Sequence, residues 1–202
     1  MKINHQHLAV RLLASFVLVA FTVTFIGCGG GGPVAAPTAY TPYEYKDGGW
    51  ACDYPEGWSA ESGGKKNSWG KFAQGSAQIK LATDLTGSLM GDMASMGQKD
   101  GPATPEDYPV HKVHVGAEQE FAQEYSDYKE QDPVEFNCGI GGSARKSEFT
   151  ASGGFSGPVH GYRATMLGRD KRYQITCVCS ESDWENLKPA FDKVLESFRS
   201  AG

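Results

Sequence analysis

Two pairs of closely spaced residues carry side chains that could bind a metal ion. His111 and His114 stand three positions apart, so a helix would place both imidazoles on neighbouring turns, a spacing that zinc sites use. Cys177 and Cys179 could supply two thiolates, but zinc needs two further ligands. The histidines also lack the glutamate of the His-Glu-x-x-His pattern. We therefore expect no bound metal and no other cofactor.

The sequence contains no recognisable catalytic centre. Ser156 lies in Gly-Gly-Phe-Ser-Gly-Pro, which is not the Gly-x-Ser-x-Gly pattern of a nucleophile between a strand and a helix. No nucleophile, base and orienting group can be assembled from the residue pattern. We expect a protein that is not an enzyme.

The first 27 residues have the charge and length pattern of a secretory signal. Lys2 and Arg11 are the only charged residues there, and the apolar run from Leu12 to Ile26 is 15 residues long. As a helix this run would span about 22 Å, short of the ~30 Å hydrocarbon core of a bilayer. A cleaved signal segment is therefore favoured over a membrane span.

The end of this run resembles the lipobox of bacterial lipoproteins. Ile26, Gly27 and Cys28 match the pattern in which the cysteine is linked to diacylglycerol and becomes the acylated N-terminus. The resemblance implies a signal peptide over residues 1–27 and a fatty-acyl anchor, such as palmitate, on Cys28. Two or three acyl chains hold a protein on a membrane stably. The alternatives are a secreted protein cut elsewhere and an uncleaved signal anchor.

The residues after Cys28 divide into a short linker and one domain. Glycine, alanine and proline dominate residues 28–42, as in a flexible tether. Residues 43–200 are long enough for a single compact domain with an apolar core. These features predict a protein of the bacterial cell envelope, anchored by lipid at Cys28, with its domain outside the cytoplasm.

The charge of the chain argues against nucleic acid as a partner. Without residues 1–27, the chain keeps 17 basic residues against 24 acidic residues, a net charge of −7. The basic residues form no cluster in the sequence. Binding to a phosphate backbone needs such a cluster, so we expect no nucleic-acid binding.

Four cysteines remain beyond Cys28, and export would favour disulfides among them. These are Cys52, Cys138, Cys177 and Cys179. On a strand, Cys177 and Cys179 point to the same face about 6.5 to 7 Å apart, too far to bridge without distortion. We expect each to pair with Cys52 or Cys138, with free buried thiols as the alternative.

Hydrophobic periodicity indicates strands, a middle helix and a closing helix. Period two predicts a strand hairpin that turns at residues 168–170. One face of that hairpin carries Tyr162, Ala164, Met166, Tyr173, Ile175, Cys177 and Cys179. From Val110 to Tyr128, apolar residues recur every three or four positions, which predicts one amphipathic helix weakened at Gly116. The order of elements is typical of an α+β fold in which helices cover an antiparallel sheet.

The last helix has a start signal and an apolar stripe. Ser182-Asp183-Trp184-Glu185 fits a capping box, in which serine and glutamate satisfy each other's free amides. One stripe of this helix is apolar: Trp184, Leu187, Phe191, Val194 and Phe198. This stripe should pack against the sheet.

Two stretches resemble the PsbP-like superfamily, which includes the extrinsic photosystem II subunit P and the Ran-binding Mog protein. They are DGGWACDYPEGW (residues 47–58) and GYRATMLGRDKRYQITCVCSESDWENLKPAFDKVLESF (residues 161–198). The resemblance implies an α/β/α sandwich. Its matching residues are core and turn positions, so no binding residue of the family transfers to this chain.

The sequence therefore predicts a lipid-anchored envelope protein that acts as a binding or assembly module without catalysis. Its partners would be the membrane, through Cys28, and a protein not identified by the sequence. The alternative is a small-ligand-binding lipoprotein with a pocket between the sheet and the apolar residues from Leu89 to Met96. An envelope enzyme is less supported.

Overall fold

The computed structural model of the chain describes residues 33–84, 104–140, 144–152, 157–168 and 171–201. The strands are β1 (Tyr40–Tyr45), β2 (Trp50–Pro55), β3 (Ser59–Gly63), β4 (Trp69–Gln74), β5 (Ala77–Asp84), β6 (Ser126–Glu130), β7 (Val134–Phe136), β8 (Ala144–Ser152), β9 (Pro158–Leu167), β10 (Arg172–Ser180) and β11 (Arg199–Ser200). The α-helices are α1 (Pro109–Gly116), α2 (Glu118–Ala122) and α3 (Trp184–Ser197), and short 3-10 helices lie at Lys46–Gly48, Pro105–Asp107 and Glu181–Asp183. The predicted signal peptide, Cys28, the Leu89 to Met96 segment and Ser156 lie outside the described residues.

The strands form one large and one small antiparallel sheet. The large sheet has the order β3-β4-β5-β10-β9-β8-β6, and β7 also pairs with β8. The small sheet has the order β1-β2-β11. The β4–β5 hairpin turns at Gly75, whose φ of +57° falls in the left-handed region that glycine adopts most readily. The predicted α+β class with an antiparallel sheet is confirmed.

Helices α1 and α3 cover opposite faces of the large sheet. Successive residues of a strand point to opposite faces. On β8, Ser147 bonds to His114 of α1, whereas the next residue, Glu148, bonds to Lys188 of α3. The two layers around the sheet therefore match the predicted α/β/α sandwich.

The stripe of α3 forms the centre of the core. Trp184, Leu187, Phe191 and Val194, together with Phe198 directly after the end of the helix, are all buried in one cluster. The small sheet completes this layer, since Trp50 of β2 stacks on Phe198 with ring centroids 6.4 Å apart. The predicted inward faces of β9 and β10 are confirmed by the same cluster.

The helix begins differently from the predicted capping box. Ser182 lies inside the 3-10 helix Glu181–Asp183, and no side chain caps the first turn of α3. The carboxylate of Asp183 instead accepts hydrogen bonds from Ser76, Ser180 and the backbone N–H of Val34. In place of the predicted cap, Asp183 is bonded to the nearby Ser180 and to Val34 and Ser76 in distant parts of the chain.

The segment predicted as a tether, residues 28–42, is partly built into the domain. Val34 is only 5% exposed and belongs to the main core cluster. Tyr40 is the first residue of β1 and pairs with Pro55. Val34 and residues 40–42 thus belong to the domain, ahead of the predicted boundary at Tyr43, because apolar contacts and strand pairing hold this segment.

The predicted single helix from Val110 to Tyr128 is wrong in its second half. α1 ends at Gly116, α2 is one short turn, and Tyr128 lies on strand β6. The aromatic residues of the second half gather on Phe149 of β8: Phe121, Tyr125 and Tyr128 all contact its ring. Pairing of the edge strand β6 with β8 has overridden the local helical pattern.

No disulfide joins the four described cysteines in this structure, where all four are free thiols. Cys52, Cys177 and Cys179 are buried in the apolar core, and Cys138 is half-buried. Burial raises the pKa of Cys52 and of Cys179 to about 12 and raises that of Cys177 well above its ordinary value. Protonated thiols in a packed core behave as small apolar groups.

Candidate binding site

An open cleft of about 430 Å³ lies between α1 and the loop that joins β6 to β7. Polar residues dominate its lining: Glu106, His111, Glu118, Glu130, Asp132 and Arg163. Glu106, Glu118 and Asp132 are exposed, whereas Glu130 and Arg163 form the buried floor. The rim of the cleft is therefore acidic.

The floor of the cleft is a buried ion pair. Nε of Arg163 donates to Oε1 of Glu130 at 2.9 Å, and Nη1 of Arg163 donates to the carbonyl oxygen of His114 at 2.7 Å. Tyr128 donates its hydroxyl to Oε2 of Glu130 at 2.6 Å. Both carboxylate oxygens and the guanidinium thus have partners, as a charge pair in the interior requires.

His114 joins this pair to the sheet. Its ring is fully buried, with Nδ1 2.9 Å from Oγ1 of Thr165 and Nε2 2.8 Å from Oγ of Ser147. Nε2 also lies 3.5 Å from Oε1 of Glu130. Either hydroxyl can donate or accept, so either neutral tautomer of the ring finds both partners.

The surroundings shift the pKa values of both acidic and basic members of this network. Burial lowers the pKa of His114, and the nearby charge of Arg163 acts in the same direction, whereas Glu130 opposes it. Burial by itself would raise the pKa of Glu130, but the nearby His114 and the hydrogen bonds from Tyr128 and Arg163 lower it to about 2. At neutral pH the network holds a neutral imidazole beside a carboxylate and a guanidinium.

The strand pattern explains how these residues meet. Arg163 and Thr165 alternate along β9 with the core residues Tyr162 and Ala164, so they face α1. α1 begins with Pro109 at its first turn, a favoured position for proline, and turns His114 toward the sheet. The network therefore depends on four separate elements, α1, β6, β8 and β9.

Sequence reasoning missed most of this network. It singled out His111 and His114 but not Glu130, Arg163 or Ser147. One available signal was the arginine in the middle of the otherwise apolar strand GYRATML, since a buried arginine requires a carboxylate partner.

Ser147 and His114 have the contact of a nucleophile with its base, but both residues are buried. Their hydrogen bond of 2.8 Å meets the geometric requirement for activation. The two residues are 1% and 0% exposed, however, and Thr165 instead of a carboxylate holds the second ring nitrogen. The arrangement is suited to holding α1 on the sheet.

His111 lies on the cleft side of α1. It is half-buried, and its Nδ1 atom is buried without a hydrogen-bond partner. The two histidines of the predicted pair therefore diverge, one into the interior and one toward the cleft.

His160, the third histidine within the described residues, lies on the opposite face of the sheet. Its Nε2 is 2.9 Å from Glu148 and its Nδ1 is 3.1 Å from Glu181, and the ring stacks on Trp184 at 4.0 Å. Lys188 binds the other oxygen of Glu148 at 2.9 Å. Within the described residues, no group of three histidine, cysteine or acidic side chains is placed to hold a metal ion.

The helices that the structure describes include none long and apolar enough to cross a bilayer. This statement covers α1, α2 and α3 and does not extend to residues 1–32.

Comparisons with known structures identify the fold. Searches against protein-family models and curated proteins gave no match. The solution structure of cyanobacterial PsbP (CyanoP) from Synechocystis sp. PCC 6803 matches with a TM-score of 0.53 and 15% identity, over 87% of this chain and 99% of that chain. The Ran-binding protein Mog1p of Saccharomyces cerevisiae matches with a TM-score of 0.50 and 9% identity, over 80% of this chain and 95% of that chain. At these identities the similarity concerns the fold alone, and it shows that the protein has a PsbP/Mog1-like fold.

Proposed function

We propose that this protein is a lipid-anchored module of the bacterial envelope that binds a protein partner and performs no catalysis. The lipobox-like residues Ile26, Gly27 and Cys28 support the anchor. The PsbP/Mog1-like fold supports the binding role, since the matched structures include a protein described as Ran-binding.

The proposal that the protein performs no catalysis is supported by the polar network under the cleft, whose side chains bond to one another inside the domain. Ser147, His114, Glu130 and Arg163 are all buried and bonded to one another or to the sheet. A catalytic group needs a free hydrogen-bonding atom to act on a substrate, and the polar atoms of these side chains are already engaged by one another. Their role is to hold α1 and the strands together at the floor of the cleft.

The cleft itself is the binding site that we propose. Three exposed carboxylates, Glu106, Glu118 and Asp132, surround it, and Val115 adds an exposed apolar contact. A partner segment with lysine or arginine beside an apolar residue complements this surface. Charges at such a rim mainly speed association and select the partner.

In-cell crosslinking of the anchored protein, followed by mass spectrometry, tests the proposal. The full-length protein should capture one dominant partner, and the Cys28→Ala variant should leave the membrane and lose that partner. Glu118→Lys/Asp132→Lys should abolish capture. Glu44→Lys/Glu196→Lys is the matched control, because it makes the same charge change at exposed sites on the opposite side of the sheet.

Each result has a distinct meaning. Capture that is equal in the two lysine variants would place the partner elsewhere on the domain. Equal membrane retention of the Cys28→Ala variant would overturn the anchor. Absence of any partner would instead favour a small-ligand-binding lipoprotein, which a ligand screen on the protein would then address.

A further inference from the structure

The carboxylate of Asp183 ties three separate parts of the chain together. Its Oδ1 accepts the backbone N–H of Val34 at 3.1 Å, and its Oδ2 accepts the hydroxyls of Ser76 at 2.9 Å and of Ser180 at 2.6 Å. These partners come from the N-terminal segment, the β4–β5 turn and the end of β10. The hydrogen bond therefore attaches the N-terminal segment to the body of the domain.

Apolar packing fastens the same point. Val34 is buried in the main core. It also packs closely on the β4–β5 turn, since a Cβ atom added to Gly75 would lie only 3.1 Å from Cγ2 of Val34. Further along, the backbone N–H of Glu56 donates to the carbonyl oxygen of Ala39 at 3.0 Å. The segment from residue 34 to residue 39 is thus held at both of its ends.

The attachment point lies at one end of the large sheet. Strand register places Ser180 opposite Val159, and Ser152 opposite Pro158, next to the turn at Ser76. We call this end the Val34 edge, made up of residues 74–77, 151–152, 157–159 and 179–183. The other end of the same strands carries Leu167 opposite Arg172, eight residues along the strands and about 26 Å away at ~3.3 Å per residue.

Chain geometry limits the distance from this edge to Cys28. Six residue steps separate Cys28 from Val34, and even a fully extended chain covers at most about 3.6 Å per step, or roughly 22 Å. A tether over residues 28–42 would have allowed more than twice that distance. A lipid on Cys28 therefore holds the Val34 edge close to the headgroups.

We propose that docking of Val34 sets the orientation of the anchored domain, with the Val34 edge facing the bilayer surface. This inference rests on the proposed lipid attachment at Cys28. The edge residues include Glu181 and Asp183 but no lysine or arginine, so attraction to anionic lipid does not supply the orientation. The short connection to the docked valine supplies it.

This orientation leaves the proposed binding cleft accessible. Ser147, at the floor of the cleft, is five residues from Ser152 along β8, about 17 Å from the Val34 edge at ~3.3 Å per residue. The cleft lies on the α1 face of the sheet, which would stand beside the membrane instead of against it. A partner could then approach from within the periplasmic or extracellular layer next to the bilayer.

Paramagnetic relaxation of amide protons tests the orientation. The lipidated full-length protein would be placed in phosphatidylcholine nanodiscs that contain a gadolinium-chelating headgroup lipid. The relaxation enhancement should be larger at Ser76 and Ser182 than at Leu167 and Arg172 by roughly tenfold or more, because the strands separate the two groups by about 26 Å. Equal enhancement at both ends, or the reverse gradient, would overturn the orientation.

Two variants separate docking from anchoring. Val34→Asp should release the segment and flatten the gradient, whereas Val134→Asp, the same change at a 53% exposed valine, should preserve it. A Gly/Ser insertion of about 12 residues after Gly32 keeps Val34 in place but lengthens the connection, and it should also flatten the gradient. An unchanged gradient after the insertion would contradict the inference. Failure of the protein to bind nanodiscs in a Cys28-dependent way would overturn the proposed anchor, and the orientation with it.

Discussion

Two nitrogens of Arg163 approach a single oxygen of Glu130, with Nε at 2.9 Å and Nη2 at 2.7 Å from Oε1. The second oxygen of Glu130 is left for the hydroxyl of Tyr128. Because Arg163 takes one oxygen of Glu130, the carboxylate joins β9 to β6, and the ion pair lies under α1. It explains how a charged pair can lie in the interior at the floor of an open cleft.

Removing one member of this pair should strongly destabilise the domain. Arg163→Met would leave the carboxylate of Glu130 buried without its cation, and we expect a loss of about 3 to 5 kcal/mol in the free energy of unfolding. Arg163→Met/Glu130→Gln should recover part of that loss. Urea unfolding of both single variants and of the double variant measures the coupling between the two residues.

Arg199 provides the control for this experiment. Its pair with Asp53, at 3.1 Å, is half-exposed. Arg199→Met should therefore change the free energy of unfolding by less than about 1 kcal/mol. Equal losses in the free energy of unfolding for Arg163→Met and Arg199→Met would show that the buried pair stabilises the domain no more than the half-exposed pair does.

Stability should fall on mild acidification because of His114. Its folded-state pKa lies below the ordinary 6.5, so as the pH drops below 6.5 the unfolded chain takes up a proton that the folded ring does not accept. The stability that is present above pH 6.5 is thus lost as the pH approaches the folded-state pKa. The free energy of urea unfolding, measured from about pH 8 to about pH 5, should decrease in the wild type and vary less in His114→Gln. Parallel profiles for the two proteins would contradict this assignment.

A second loss of stability should follow at lower pH from Glu130. Its pKa falls from an ordinary 4.5 to about 2 on folding, so its contribution is present above pH 4.5 and lost as the pH falls toward 2. Glu130→Gln should lack this lower transition. The circular-dichroism signal during acid titration reports the difference, and an identical acid midpoint in both proteins would rule it out.

Trp184 should be a major contributor to stability. It is buried at the start of α3 and stacks on His160 with an interplanar angle of 8°. Trp184→Ala should lower the free energy of unfolding by about 3 to 5 kcal/mol. Trp69→Ala serves as the control, since Trp69 is 45% exposed and its removal should have a much smaller effect. A loss well below about 1 kcal/mol for Trp184→Ala would contradict its placement in the core.

The core thiols should be unreactive in the folded protein. Burial raises the pKa of Cys52, Cys177 and Cys179, which keeps these groups protonated as well as inaccessible. In the Cys28→Ala protein we expect slow reaction of the half-buried Cys138 with a thiol reagent, and reaction of the other three only after denaturation. Intact-mass measurement with and without reductant provides the independent check. A mass increase on reduction would show that disulfides form in the envelope.

The sequence pattern was most informative where one element meets a large apolar surface. The stripe of α3 and the inward faces of β9 and β10 were predicted because periods of 3.6 and 2 residues directly reflect burial on one side. The same reasoning failed from Phe121 to Tyr128. Aromatic residues spaced by three or four positions also fit a turn followed by an edge strand, and pairing with β8 decided between the two.

The sequence by itself determined the α+β class, the apolar faces of the long elements and the lipobox-like pattern at Cys28, because each is written in local spacing. Only the tertiary structure decided that Arg163 meets Glu130, that His114 bonds to Ser147 and that Val34 is held by Asp183. These contacts join residues that are 33, 33 and 149 positions apart. Hydrogen-bond partners at such separations are selected by how the layers pack, and no local pattern of charge or hydrophobicity specifies them.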